Sequence, residues 1–360
     1  MILSCLLKNT RPSQVIKTSI VVLLNCVLIV LVMYEICFAI VQKSVDIDTL
    51  YVFEKITTRF TSFSSLMVTI WRRQVLIEIF NRIKQQLDKS KPLKHIENFQ
   101  RKLIYIWLVS IPTQLILIQF VFLIGHFVLT LSYDNLMAVV INCSVKALYS
   151  TFWTLPSMLI YTYTVYVIGM AREEFFANLE LLNSSPKVVR SKWLTIVEVT
   201  NHFDCSFSFI PFLWYVNFFV SASTFVVATC SPMVPHFSIT FIIMKWFFLF
   251  VNFAMSVVIV LILDYFNERA AQHVLTLESR LVEIKEPFVR MEVEWLRIDV
   301  KNNLELLLTG WNLFKLNKEF VLSFISTTIT FSTMFLQMAS SQIKMMANNN
   351  HTDLSTSLLI

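Results

Sequence analysis

Apolar residues run along this chain in long blocks, and seven of them reach membrane length. They cover about 18–41, 48–71, 104–131, 147–170, 207–229, 237–263 and 317–338. Each offers roughly the 20 residues an α-helix needs to cross the hydrocarbon core of a bilayer. Glu54, Lys55 and Arg59 interrupt the second block, yet Tyr51 and Trp71 flank it at interface depth and Arg72-Arg73 closes it. Outside the blocks the pattern turns amphipathic. Val274, Leu277, Leu281 and Ile284 recur at steps of three and four among Glu278, Arg280 and Glu283. Leu296, Val300, Leu304, Leu307 and Trp311 continue the rhythm. Such spacing predicts helices that extend the spans above them and pack as a layer beyond the membrane. The expected fold is an all-α integral membrane protein with seven transmembrane helices.

The last block carries the strongest internal pattern. Ser323, Ser326, Thr330, Thr333 and Gln337 step by three, four, three and four, so one helix face is polar and the others apolar. Lipid offers hydroxyls and amides no partner, so this face must meet another helix or water. Repeated around a symmetric oligomer, the stripe would line an ion pathway. The competing reading is hydrogen bonding between helices, or Ser and Thr bonding back to their own helix. No fixed charge falls between Phe320 and Ile343, so this stretch by itself predicts only a weak cation preference.

Charge sets the orientation. With the N-terminus inside, segments 1–17, 72–103, 171–206 and 264–316 face the cytoplasm and hold most of the 30 Lys and Arg. The outer segments hold only Lys43, Lys146 and Lys344. The positive-inside rule then predicts a cytoplasmic N-terminus at 1–17 and an extracellular tail at 339–360. Between them stand a six-helix region at 18–263, a cytoplasmic helical region at 264–316 and the seventh helix at 317–338. A net charge of +6 is thus a topology signal and gives no reason to expect nucleic acid. Two glycosylation sequons, at Asn142 and Asn350, fall outside in this arrangement, and a third at Asn183 falls inside. The first block is too long for a cleaved signal and reads as a signal anchor. Of the six cysteines, Cys143 and Cys230 lie near the outer face, either as a disulfide or as ordinary thiols.

The hydrophobic fraction of 56% agrees with a polytopic protein, and the residue inventory narrows its class. The six histidines are scattered without ligand spacing, and no HExxH, CxxC pair, phosphate loop or GxSxG occurs. Neither enzyme activity nor a metal or cofactor is expected. The three glycines are Gly125, Gly169 and Gly310, too few for a transporter that rocks around broken helices. Gly310 falls between the cytoplasmic helices and the last span, where a hinge or helix end is expected.

The end of the chain resembles the insect gustatory receptors. Those proteins close on Thr-Tyr, five hydrophobic residues and Gln-Phe, and Thr330-Phe331 through Gln337-Met338 is similar. The approach Gly310-Trp311-Asn312-Leu313-Phe314-Lys315-Leu316-Asn317 also matches a Gly, Phe and Leu-Asn pattern of the family. Phe331 stands where the family has Tyr, Met338 where it has Phe, and Ser332 and Thr333 where hydrophobic residues are usual.

The resemblance implies a ligand-gated, non-selective cation channel of the plasma membrane of chemosensory neurons. Four subunits, identical or mixed with other gustatory receptor chains, would surround a pore lined by the last helix. The cytoplasmic helices would hold the tetramer together. Gln337 and Met338 would lie at the outer gate, with Ser326, Thr330 and Thr333 deeper on the wall. A small-molecule tastant, by default bitter or aversive, would bind among the outer halves of the earlier helices. Candidates there are His126, Trp153, Phe218, Phe219, Lys245 and Trp246, with Glu54 or Glu35 as a partner for Lys245. An insect odorant receptor and a seven-helix G-protein-coupled receptor are the rival readings; the second has the opposite orientation.

Overall fold

The computed structural model describes residues 47–87, 91–127, 154–177, 185–230, 239–303, 305–306, 308–334 and 337, and these are helical almost throughout. In chain order the helices are α1 (Ile47–Trp71), α2 (Arg73–Gln86), α3 (Lys91–Phe127), α4 (Leu155–Ala177) and α5 (Pro186–Phe207). They continue with α6 (Phe209–Cys230), α7 (Ile239–Glu283) and α8 (Pro287–Asn302). A hairpin of β1 (Thr309–Gly310) and β2 (Phe314–Lys315) then leads into α9, residues 318–334. Helix starts follow local chemistry. Proline opens α5 at Pro186 and α8 at Pro287, where its missing N–H costs nothing. Asn317 caps α9, its Oδ1 accepting the Phe320 N–H at 2.8 Å.

Six of the seven expected blocks fall on described helices; the block at 18–41 lies outside the described residues. The helices overrun the blocks at several ends. α3 starts thirteen residues before 104, and α4 runs seven past 170. α7 has 45 residues, so at 1.5 Å per residue it is about 67 Å long, over twice a hydrocarbon core of about 30 Å. Its second half is the amphipathic extension read from the sequence. Among the described residues one helical window, Phe209–Val226, is by length and composition long and apolar enough to cross a membrane.

α4 is the axis of the upper core. It is buried on all sides from Leu155 to Phe176, as a helix apolar all round must be. Its Thr162 and Thr164 satisfy their hydroxyls on Met158 O at 2.7 Å and Ile160 O at 2.8 Å. Gly169 lets α7 approach, since a Cβ there would stand 2.1 Å from Phe266 Cδ2. A second core lies lower, where α5, α7 and α8 meet around Trp193, Leu277, Val293 and Leu296.

One expected rhythm ends early. The helical spacing read through Leu296, Val300 and on to Trp311 stops at Asn302, and the chain continues extended. Leu306 and Leu308 are buried there, and Trp311 is 55% exposed in the hairpin turn. Leu316 N–H donates to Leu308 O at 2.8 Å, so strand-like pairing replaces the helix.

Candidate functional site

α9 divides into two opposite faces. Val321, Thr328 and Ser332 are buried and Phe324 half-buried, at steps of three and four along one side. Ser323, Ser326, Thr330, Thr333 and Gln337 are all exposed, on the side turned roughly 180° away at 100° per residue. The packed face is aromatic. The Phe324 ring centroid lies 5.1 Å from Tyr215 and 5.7 Å from Phe218 of α6, and Phe331 meets Phe219 edge-on at 5.5 Å. These contacts fix the rotation of α9 about its axis, so the polar stripe points away from its own protomer. The hydroxyls on that side are partly self-satisfied: Thr330 donates to Ser326 O at 2.9 Å and Thr333 to Thr330 O at 2.8 Å. Back-bonding of this kind uses the hydroxyl hydrogen and leaves the oxygen lone pairs facing outward. Met338 lies outside the described residues.

The foot of α9 is anchored to the junction of α5 and α6. Asp204 accepts from Thr309 twice, from N–H at 2.7 Å and from Oγ1 at 2.8 Å. Trp311 N–H donates to Ser208 O at 2.9 Å. Burial pushes the Asp204 carboxyl up from its ordinary value, and the two Thr309 bonds pull the other way. Trp311 and Asn312 take positive φ of 52° and 58°, a conformation Asn tolerates and Trp rarely adopts. The Trp311 ring is held there by Phe209 and Phe212, each at 5.2 Å. Gly310 is neither a helix end nor a positive-φ residue. It sits in β1 because a Cβ would meet Phe314 Cζ at 2.1 Å, and that ring stacks on Phe320 at 4.0 Å. The sequence expectation of a hinge at Gly310 gives way to a tight hairpin that clamps the helix start.

The ligand candidates separate. Phe218 and Phe219 both turn to Phe324 of α9, while Trp246 is 56% exposed and packs on Phe225, two turns further along α6. His126 and Lys245 lie on α3 and α7. Trp153, Asn142, Asn350, Cys143 and Glu35 lie outside the described residues; Glu54 is buried in α1.

A polar seam between α1 and α6 was not singled out from the sequence. Thr58 Oγ1 donates to Asn217 Oδ1 at 2.9 Å, and Thr61 Oγ1 to Leu213 O at 3.4 Å. Ser62 and Thr154 share a hydrogen bond of 2.6 Å. The signal was present, because Thr58, Ser62, Ser65 and Thr69 step by four, three and four, a helical spacing like that of the stripe on α9.

A cavity of about 250 Å³ lies between α4, α5 and the end of α8, lined by Arg172, Thr200, Asn201, Lys301 and Asn303 among others. Arg172 is 4% exposed, its Nη2 donates to Asn303 O at 3.2 Å, and its guanidinium stands 5.4 Å from the Trp193 ring. Burial lowers its pKa to about 10. Its position is that of a cation capping the carbonyl end of α8.

No protein-family model and no curated protein matches the sequence. Solved structures do match in fold. The olfactory receptor OR5 of the insect Machilis hrabei, in complex with eugenol, aligns with a TM-score of 0.62 at 14% identity, covering 87% of this chain and 88% of that one. A second structure of the same receptor aligns with a TM-score of 0.56 at 15% identity and the same coverage of 87% and 88%. The chain therefore has the all-α fold of an insect olfactory receptor.

Proposed function

We propose that this chain is a chemoreceptor subunit, a ligand-gated non-selective cation channel that serves as a gustatory receptor. The observation that carries the reading is the rotation of α9. Its aromatic side is locked to α6, and its line of hydroxyls and amide is presented outward, where a second copy or water must meet it. Four copies around that face make a pore whose wall offers oxygen lone pairs to a partly dehydrated cation. Seven spans, a cytoplasmic N-terminus, an extracellular C-terminus and a plasma-membrane location complete the reading. In it 18–263 senses the ligand, 264–316 anchors the assembly in the cytoplasm and 317–338 lines the pore. The opener is a small molecule, bitter or aversive by preference. The olfactory receptor fold favours a second reading, an odorant receptor, which shares the channel and differs in ligand.

The test is electrical. The full chain is expressed in a heterologous cell with a C-terminal tag, and currents are recorded against tastants and volatile aromatics such as eugenol. Ligand-evoked cation currents that need no G protein, and that change in size or gating in Gln337→Ala, are the expected result. Currents that require G protein, or that are indifferent to both Gln337→Ala and Thr330→Ala at full surface expression, refute it. A response confined to volatiles selects the odorant reading.

A further inference from the structure

The polar line on α9 reaches one turn further inward than its hydroxyls. Glu319 lies four residues before Ser323 and eighteen before Gln337, which is about five full turns at 3.6 residues per turn. It therefore shares the azimuth of Gln337, about 27 Å away along the axis at 1.5 Å per residue. Its side chain is exposed, on the side opposite Val321, Thr328 and Ser332. Helix capping does not require it, because Asn317 already takes the Phe320 N–H. The adjacent cation is directed elsewhere: Lys318, about 100° around the helix, reaches Asp264 of α7 at 4.0 Å. Lys315, the next charge before Lys318 along the sequence, is exposed in β2, ahead of the cap.

We infer that Glu319 is the cation-selecting residue of this chain, forming a carboxylate ring at the inner mouth that favours Na⁺, K⁺ and Ca²⁺ over anions. The inference rests on α9 being the pore helix. It replaces the weak preference expected from the hydroxyl stripe with a defined charge at one end of the same line. A carboxylate repeated by symmetry in a narrow mouth concentrates cations and repels anions within a Debye length of about 8 Å. The hydroxyl oxygens above it then carry ions that the ring has already sorted.

The purified full chain is recorded in planar bilayers under a sodium chloride gradient, in a Gln337→Ala background that removes the outer constriction. The sodium-to-chloride permeability ratio, read from the reversal potential, falls in Glu319→Gln, recovers in Glu319→Asp and drops below unity in Glu319→Lys. Thr330→Cys, probed with a charged thiol reagent, reports on the pore itself. Block through Thr330→Cys with an unchanged ratio in Glu319→Gln overturns the role of Glu319 and leaves the pore in place. A Thr330→Cys chain that conducts and is not blocked overturns the pore and the ring together.

Discussion

Gly310, like Gly169, leaves no room for a side chain. Alanine there sets a methyl group 2.1 Å from a ring that is itself stacked on Phe320, so either Phe314 leaves its place or β1 moves. Gly310→Ala should cost about 1–3 kcal/mol, the usual range for overpacking, and thermal unfolding of the solubilised chain measures it. Sequence alone marked the position and gave the wrong reason. Glycine between helical segments suggests conformational freedom, whereas here it is needed for space, and space depends on a ring four residues away. Ser326, Thr330 and Thr333 were legible for the opposite reason. Their placement follows from helix geometry alone, and a helix keeps its period whatever surrounds it.

At the scale of elements, the contact between the hairpin and the α5–α6 junction is the testable one. Asp204→Ala leaves the Thr309 N–H without its acceptor and hands the Thr309 hydroxyl to Asn312 Oδ1, 3.2 Å away, at a cost of about 1–3 kcal/mol. The titration has a definite sign. The folded carboxyl binds its proton more readily than the unfolded one, so its charge costs stability at neutral pH. That cost fades as pH falls through the raised value and is gone below the ordinary carboxylate range. Relative to Asp204→Asn, which does not titrate, the natural chain should therefore gain stability as pH drops from 7 toward 4. Melting temperatures of the two chains across that range show it. Several elements could be read from periodicity: α1, α6 and the two halves of α7 fall where the apolar pattern put them. The hairpin could not. Leu306 and Leu308 fit a helical rhythm as well as an alternating one over so short a stretch, and only the pairing of Leu308 with Leu316 and the bond from Leu306 N–H to Asn267 Oδ1 decide between the two.

For the whole molecule, orientation is the property that the charge pattern predicts and packing leaves open. A tag at the C-terminus should be reached by antibody on intact cells, and one at the N-terminus only after permeabilisation; the reverse result refutes the proposed topology. The sequence carried the helical class because it depends on sums over many residues. It did not carry a ligand site. Phe218, Phe219 and Trp246 are alike in composition, yet two of them serve the packing of α9 and the third stands at the surface.

The clamp at the foot of α9 also has a mechanical meaning. The hairpin holds the first turn of the helix to Asp204 and Ser208, at the point where α5 gives way to α6. Above that point α9 is about 25 Å long. Phe324 and Phe331 tie this rod to α6 along its length, so a tilt of the two helices by about 10° at the clamp carries the far end roughly 4 Å sideways. Gln337 stands at that far end, so in the proposed pore a slight turn of α6 and α9 about their shared base shifts it by a distance on the scale of a partly dehydrated cation.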